Sequence, residues 1–334
     1  MAYRAEKLTM KTALTEHAGI RVPLICGAMY PCSNPELVAA ASEAGGLGVI
    51  QPITLVYVNG LDFREGLKKI RSLTDKPLGF NAIVEKGSGA YTGRMTEWID
   101  IALEEGVRFF ITALGKPDRV VKQVHDAGGY VYHDVTERKW AQKALESGVD
   151  GLIAVNRRAG GHAGRRSPAE LLEELQDLGV PVVCAGGIGD EHRFREAIDL
   201  GYAGVQIGTR FIASTECSAH DDYKRAIIEA EEDDIVLTDK LSGVPCSVIR
   251  TPHVERVGTT AGPLARRLLR WKKTRHWMRL FYTLTSARQL KQANLRGLSY
   301  KDFFQAGKSV DGIRRVEPAG DIIRRFEAAL PTPD

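Results

Sequence analysis

The chain is poor in the features that mark secreted, membrane-spanning or metal-stapled proteins. No apolar run approaches the roughly 18–20 residues that cross a bilayer, and residues 1–19 contain no apolar signal-peptide core. Stable membrane insertion is therefore not expected, and a reducing cytoplasm is the expected compartment. Cysteine is scarce. Its five copies (26, 32, 184, 217 and 246) are odd in number and form no C-x-x-C pair, which argues against a disulfide frame or a zinc ribbon. No metal site is expected, and Cys26 and Cys32 are read as packing thiols. Also lacking are a G-x-G-x-x-G turn after the first strand and a G-x-x-x-x-G-K-[ST] loop, so Rossmann and P-loop nucleotide sites are excluded.

What is present is an ordinary globular composition. Of 334 residues, 43% are hydrophobic and 26% charged, enough for one large α/β domain or two average ones. The net charge of +4 hides an asymmetry. Residues 250–334 carry 18 Lys/Arg against 7 Asp/Glu, and the preceding 249 carry 28 against 35. A nucleic-acid surface is not suggested by that pattern. A locally basic section at the far end is, densest over 264–281.

Eight short apolar runs recur at 22–29, 47–53, 77–83, 107–114, 130–135, 151–156, 181–187 and 204–211, their starts 21 to 30 residues apart. Continuous hydrophobicity marks strands buried on both faces, and the spacing leaves room for one helix after each. Helix starts are legible at Asp62–Glu65 and Ser167–Glu170, both read as capping boxes, and many helices end on a glycine just before the next strand. Eight such units over 12–230 predict a (β/α)8 TIM barrel within the α/β class. An eighth helix is expected near 218–230. Residues 231–251 read as an acidic turn and an irregular connection, 262–296 as basic helices, and 317–330 as a final amphipathic helix. Together, 231–334 form an appended, mainly helical cap.

In such barrels the chemistry sits where the strands end. The loops after the last two strands, Gly186-Gly187 and Gly208-Thr209, are the expected phosphate site, because a phosphate needs exposed N–H groups and no Cβ in the way. Asp190 is expected to cap the helix behind. After the sixth strand, Gly160-Gly161-His162-Ala163-Gly164 sets one histidine among glycines, leaving the imidazole open for proton transfer. His162 is the candidate acid or base. His133, which also closes a strand, is intermediate, and the remaining histidines are read as structural. Tyr91–Arg94, in a glycine-bearing loop after strand 3, is a candidate lid.

These three glycine motifs, with Ala-Gly-Gly-Ile over 185–188 and Gly-Thr-Arg-Phe over 208–211, resemble the nitronate monooxygenase family of FMN-dependent barrels. The resemblance runs from about residue 12 to 250 and returns at Gly307–Ile313. It implies FMN as cofactor, with Gly27, Ala28 and Met29 lining the ring, Asn81 bonding its polar edge, and Gly160 and Gly161 approaching it. Gly186, Gly187, Gly208 and Thr209 would hold the phosphate, and His162 matches the family's catalytic histidine. The implied activity is oxidation of a nitronate or nitroalkane with dioxygen to a carbonyl compound and nitrite. The alternative is an NAD(P)H-dependent reductase of an enoyl thioester or quinone. The implied partners are small molecules, and a homodimer is left open. Some members of the family carry lysine where this chain has Asp134. A carboxylate there would not favour an anionic reduced flavin, so Asp134 either points away or changes the redox tuning. A flavin-free barrel synthase and a non-catalytic pathway partner are the rival classes. The colour of the purified protein and a search for turnover separate them.

Overall fold

The computed structural model describes residues 10–84, 89–240, 244–260 and 303–331. The basic stretch read as helices over 262–296 lies outside the described residues. Eight parallel strands close into a barrel in chain order: β1 (Leu24–Cys26), β2 (Leu47–Ile50), β3 (Leu78–Ile83), β4 (Phe109–Ala113), β5 (Tyr130–Val135), β6 (Gly151–Val155), β7 (Val182–Ala185) and β8 (Gly204–Ile207). Closure is made by β8 on β1, with Leu24 opposite Val205 and Cys26 opposite Ile207. Each apolar run of the sequence supplies one strand.

Between and around the strands run α1 (Ala13–Ala18), α2 (Pro35–Glu43), α3 (Phe63–Arg71), α4 (Gly89–Glu104), α5 (Asp118–Asp126), α6 (Arg138–Leu145), α7 (Pro168–Leu175) and α8 (Glu191–Leu200). The Ser167–Glu170 capping box is complete. At α3, Asp62 caps alone, accepting from the Arg64 and Glu65 nitrogens, while the Glu65 carboxylate turns to Lys68. Tyr91–Arg94, read as a loop, lies in the first turns of α4, where Arg94 bonds the Tyr57 hydroxyl. The segment is thus helical rather than a loop.

The interior of the barrel is apolar at its N-terminal end. Ile25, Leu47, Val49, Phe109, Ile111, Tyr132, Ile153 and Val183 meet Leu14, Ala18 and Ile20 from α1 and the turn after it. Side chains two apart on a strand share a face, so this cluster fixes which residues point inward nearer the mouth.

After β8 come a single turn, α9 (Thr209–Ile212), and α10 (Asp221–Glu229), the helix expected near 218–230. Among the described residues of 231–251, an acidic turn at Glu232–Asp234 is followed by two strands rather than an irregular connection. β9 (Ile235–Thr238) and β10 (Cys246–Ile249) pair antiparallel, with Ile235 opposite Ile249 and Thr238 opposite Cys246. Each is a four-residue β-branched or apolar run, too short to stand out beside the acidic turn before it. Then follow α11 (Pro252–Val257) and, at the end, α12 (Ala319–Ala328), the expected amphipathic helix. It packs against α2 and α8, the helices after β1 and β7, with Phe326 stacked on Phe194 at 5.3 Å. Glu317, just before it, accepts from Arg325 at 2.7 Å and lies 3.5 Å from the fully buried Arg210. The Arg325 hydrogen bonds and the charges of Arg325 and Arg210 hold the Glu317 carboxyl down at about 2, against the penalty of its burial. Arg210, part of the Gly-Thr-Arg-Phe motif, therefore anchors the last helix rather than facing a ligand.

Candidate active site

The C-terminal ends of the strands gather the sequence-selected residues at one mouth. After β7, Gly186 and Gly187 take φ of +115° and +83°, a backbone region closed to most side chains. A Cβ at Gly186 would stand 2.5 Å from the Ala159 nitrogen, and one at Gly187 would stand 2.5 Å from Arg158 Nε. The two loops thus touch through bare backbone. Asp190 caps α8 as expected, its Oδ1 accepting from the Arg193 nitrogen at 2.9 Å. After β8, Gly208 lies against Met29 of the first loop, whose Sδ is 3.4 Å from where a Cβ would sit, and opens α9. Gly27 donates to the Ile207 carbonyl at 2.9 Å, and Ala28 and Met29 follow it over the rim. These groups converge as the glycine pattern suggested.

The β6 loop is held from two sides by chain far downstream. The Ser247 nitrogen on β10 donates to the Gly161 carbonyl at 2.8 Å, so the loop extends the β9–β10 hairpin by one bridge. On the other side, the Lys308 nitrogen donates to the Arg158 carbonyl at 2.9 Å, and a Cβ at Gly160 would press to 2.9 Å from the Gly307 nitrogen. That nitrogen in turn donates to Thr209 Oγ1 at 3.0 Å. The Thr209 hydroxyl therefore already accepts one bond and keeps its own proton to give. His162, between these supports, is exposed at the mouth. Arg158 and Lys308 share Glu232, at 2.7 and 3.2 Å, which places two cations beside the Gly187 turn. Sequence reasoning missed Arg158, Lys308, Glu232 and Ser247. Only the returning motif at Gly307–Ile313 hinted that this segment belongs to the site.

Strand parity sorts the remaining candidates. Asn81 shares the inward face of β3 with Gly79, is 8% exposed, and makes no side-chain hydrogen bond to the described residues. His133 points outward under the helices, with Nδ1 2.7 Å from Thr112 Oγ1, and burial pushes its pKa down to about 4. It is a structural histidine. Asp134 lies on the opposite face of β5, with Tyr132, and so points into the mouth rather than away from it. Its Oδ1 is shut off from solvent without a hydrogen-bond partner, as is Oε1 of Gln206 on β8. Burial raises the Asp134 carboxyl to about 7. Cys26 and Cys32 are buried free thiols, with the Cys217 thiol on the Cys32 carbonyl.

A family model for nitronate monooxygenase matches residues 11–327, nearly the whole chain just described. The chain belongs to the nitronate monooxygenase family. It is thus an oxidoreductase with that family's barrel. Among curated relatives, it is 31% identical over 254 residues to the (3aS,4S,5R,7aS)-5-hydroxy-7a-methyl-1-oxo-octahydro-1H-indene-4-carboxyl-CoA dehydrogenase of Mycobacterium tuberculosis, covering 75% of this chain and 69% of that protein. It is 27% identical to a probable nitronate monooxygenase of Staphylococcus saprophyticus, covering 75% and 81%. Among solved structures, FabK from Thermotoga maritima superposes with a TM-score of 0.79 at 28% identity, covering 96% of both chains. No helix among the described residues is long and apolar enough to cross a membrane.

Proposed function

We propose that this member of the nitronate monooxygenase family binds FMN in the barrel mouth and oxidises alkyl nitronates or nitroalkanes with dioxygen to a carbonyl compound and nitrite, with His162 moving the proton. The observation that carries the reading is the exposed His162 on a glycine loop that packs directly on the glycine turns of β7. The residues fit the cofactor. The Gly186-Gly187 turn offers backbone N–H groups where a Cβ would obstruct, Gly208-Thr209 adds the start of α9, and Arg158 and Lys308 bring positive charge beside the turn. Asn81, Asp134 and Gln206 offer the ring polar groups that the protein leaves unpaired.

When bound, the flavin supplies the electron-accepting chemistry. The chain's part is to place the substrate's acidic C–H beside the imidazole, take its proton at a ring nitrogen, and keep the imidazole in position through the Gly161–Ser247 bridge. For a nitronate that arrives already ionised, the same imidazole has no proton to remove and serves to hold the anion.

A second reading, a dehydrogenase or reductase of a thioester, is favoured by the 31% identical relative named for a CoA ester and by the charge of residues 250–301. These hold 13 Lys/Arg against the single acid Glu255, a match for the phosphates of such a carrier. In the dehydrogenase direction His162 again takes a proton from a C–H acidified by the adjacent thioester, and in the reductase direction it becomes the proton donor.

The deciding experiment mixes the purified protein anaerobically with a nitronate, NADH, NADPH and an acyl-CoA in turn while the flavin absorbance is followed. Bleaching by nitronate alone supports the first reading. Bleaching by a nicotinamide or the acyl-CoA supports the second. A colourless protein that takes up no FMN overturns both.

A further inference from the structure

Two oxygens at the barrel mouth lack the hydrogen bonds that buried polar atoms almost always make. Asp134 Oδ1 and Gln206 Oε1 sit on different strands, both out of solvent and both without a partner among the described residues. An orphaned acceptor of this kind costs on the order of 1–3 kcal/mol, and native proteins keep such atoms chiefly where something else satisfies them. A carboxyl oxygen such as Asp134 Oδ1 is satisfied by a donor, so what enters must carry one.

Asp134 is the more demanding of the two, because an ionised carboxylate needs a cation or several donors to be tolerated inside a protein. None is offered by the strands that flank it. Ile111 and Ala113 share its face from β4, and Ile153 and Val155 share it from β6. On its own strand, His133 turns to the other face and is tied to Thr112. The titratable group that the β6 loop brings to the mouth is His162, and Asn81 and Gln206 from across the barrel are neutral. Burial is the cause that lifts its pKa to about 7.

We propose that Asp134 recognises the heterocycle in this mouth by meeting the imide edge of the flavin ring as a neutral carboxylic acid. This rests on the FMN reading above. An imide edge runs carbonyl, N–H, carbonyl. A neutral carboxyl offers an acceptor and a donor side by side, so Oδ1 accepts from the ring N–H while the protonated oxygen donates to a flanking carbonyl. An ionised carboxylate offers two acceptors and would set one of them against the carbonyl's lone pairs. The ring therefore binds together with a proton on Asp134. Of the two sequence alternatives for this residue, pointing away is excluded by its inward face. A neutral acid removes the objection to a negative charge beside the ring. Asp134 is a positioning residue here and takes no part in the proton transfer at His162.

The test titrates apoprotein with FMN, reading flavin fluorescence, from about pH 6 to about pH 9, for the parent, Asp134→Asn and Asp134→Ala. For the parent, Kd should rise about tenfold per pH unit once the pH exceeds about 7, because ionised Asp134 must first recover its proton. Asp134→Asn presents N–H and C=O at every pH and should show no such rise. Asp134→Ala should bind about 10- to 100-fold more weakly than the parent at the low end, two hydrogen bonds being lost. The FMN phosphate titrates near about pH 6 in all three, so the ratio of parent to Asp134→Asn isolates the carboxyl. Calorimetry in two buffers of different ionisation enthalpy should show proton uptake approaching one per FMN for the parent above about pH 7, and none for Asp134→Asn.

A ratio that stays flat with pH, or no uptake, overturns the proposal even if Asp134→Ala does not fold. So does Asp134→Ala binding as tightly as the parent at low pH. Failure of the parent to bind FMN at any pH overturns the cofactor reading and this inference with it, an outcome distinct from tight but pH-independent binding.

Discussion

At the N-terminal end of the barrel, Leu14, Ala18 and Ile20 close over Ile25, Leu47, Phe109 and Val183, and the polar tip among them, the Tyr132 hydroxyl, is paired with His17 Nδ1 at 3.1 Å. At the C-terminal end of the same strands, Gly186 and Gly187 leave out side chains where a Cβ would stand 2.5 Å from the β6 loop, and both take positive φ. Two buried oxygens there go unpaired, and the loop that carries His162 is held by backbone bonds to Ser247 and Lys308 and by the Arg158–Glu232 ion pair. One end satisfies every rule of a stable core. The other breaks several of them within one mouth, and such breaches are what a ligand site requires. Changes at the closed end should therefore reach stability first, and changes at the open end should reach binding and turnover first.

The sharpest way to break that contrast is Gly187→Leu, which sets a side chain where Arg158 Nε lies 2.5 Å away and forces it into φ of +83°. Folded protein without bound flavin, and so without turnover, is the expected result. Absorbance and circular dichroism on one sample check it, and full flavin occupancy would refute the phosphate assignment. Next comes His162→Ala, with a loss of about 10²–10⁴-fold on neutral nitroalkanes and a much smaller loss on preformed nitronates, at unchanged melting temperature. Equal losses on both substrates would make the histidine a binding group.

At the closed end, Leu14→Ala should cost about 2–5 kcal/mol of unfolding free energy in a denaturant titration. FMN affinity should stay as it was, and a large drop in that affinity would erase the distinction between the ends. The smallest effect concerns the anchor of α12. The Glu317 carboxyl is held at about 2 in the folded chain against an ordinary 4.5, so the stability it confers is complete above about pH 4.5 and is lost as pH falls towards 2. That is worth about 3 kcal/mol. Glu317→Gln should lose it at neutral pH and show a shallower acid limb. Identical acid limbs for variant and parent would mean that the ion cluster contributes nothing.

The barrel was legible because its strands are continuous apolar runs, and continuity is what burial on both faces produces. The glycine turns after β7 and β8 and the His162 loop were legible as tight backbone at the strand ends because glycine clusters are rare and their reason is local. Long-range placement was not legible. Nothing in Ala319–Ala328 says that its apolar stripe belongs between α2 and α8, and nothing in Ile235–Thr238 says that its hairpin extends to Gly161. The ambiguity of His133 and Asp134 was resolvable in principle. Counting alternate residues forward from a core tyrosine at 132 puts the aspartate inside and the histidine outside, but only once the strand's register to the core is known.

The position of α12 has a consequence for how the molecule is made. The groove between α2 and α8 is filled by residues that leave the ribosome about 120 positions after β8 is complete, on the order of ten seconds later at ordinary elongation rates. Through that interval Phe194 lacks the ring of Phe326 that stacks on it at 5.3 Å in the finished chain, so the outer face of the barrel is completed last.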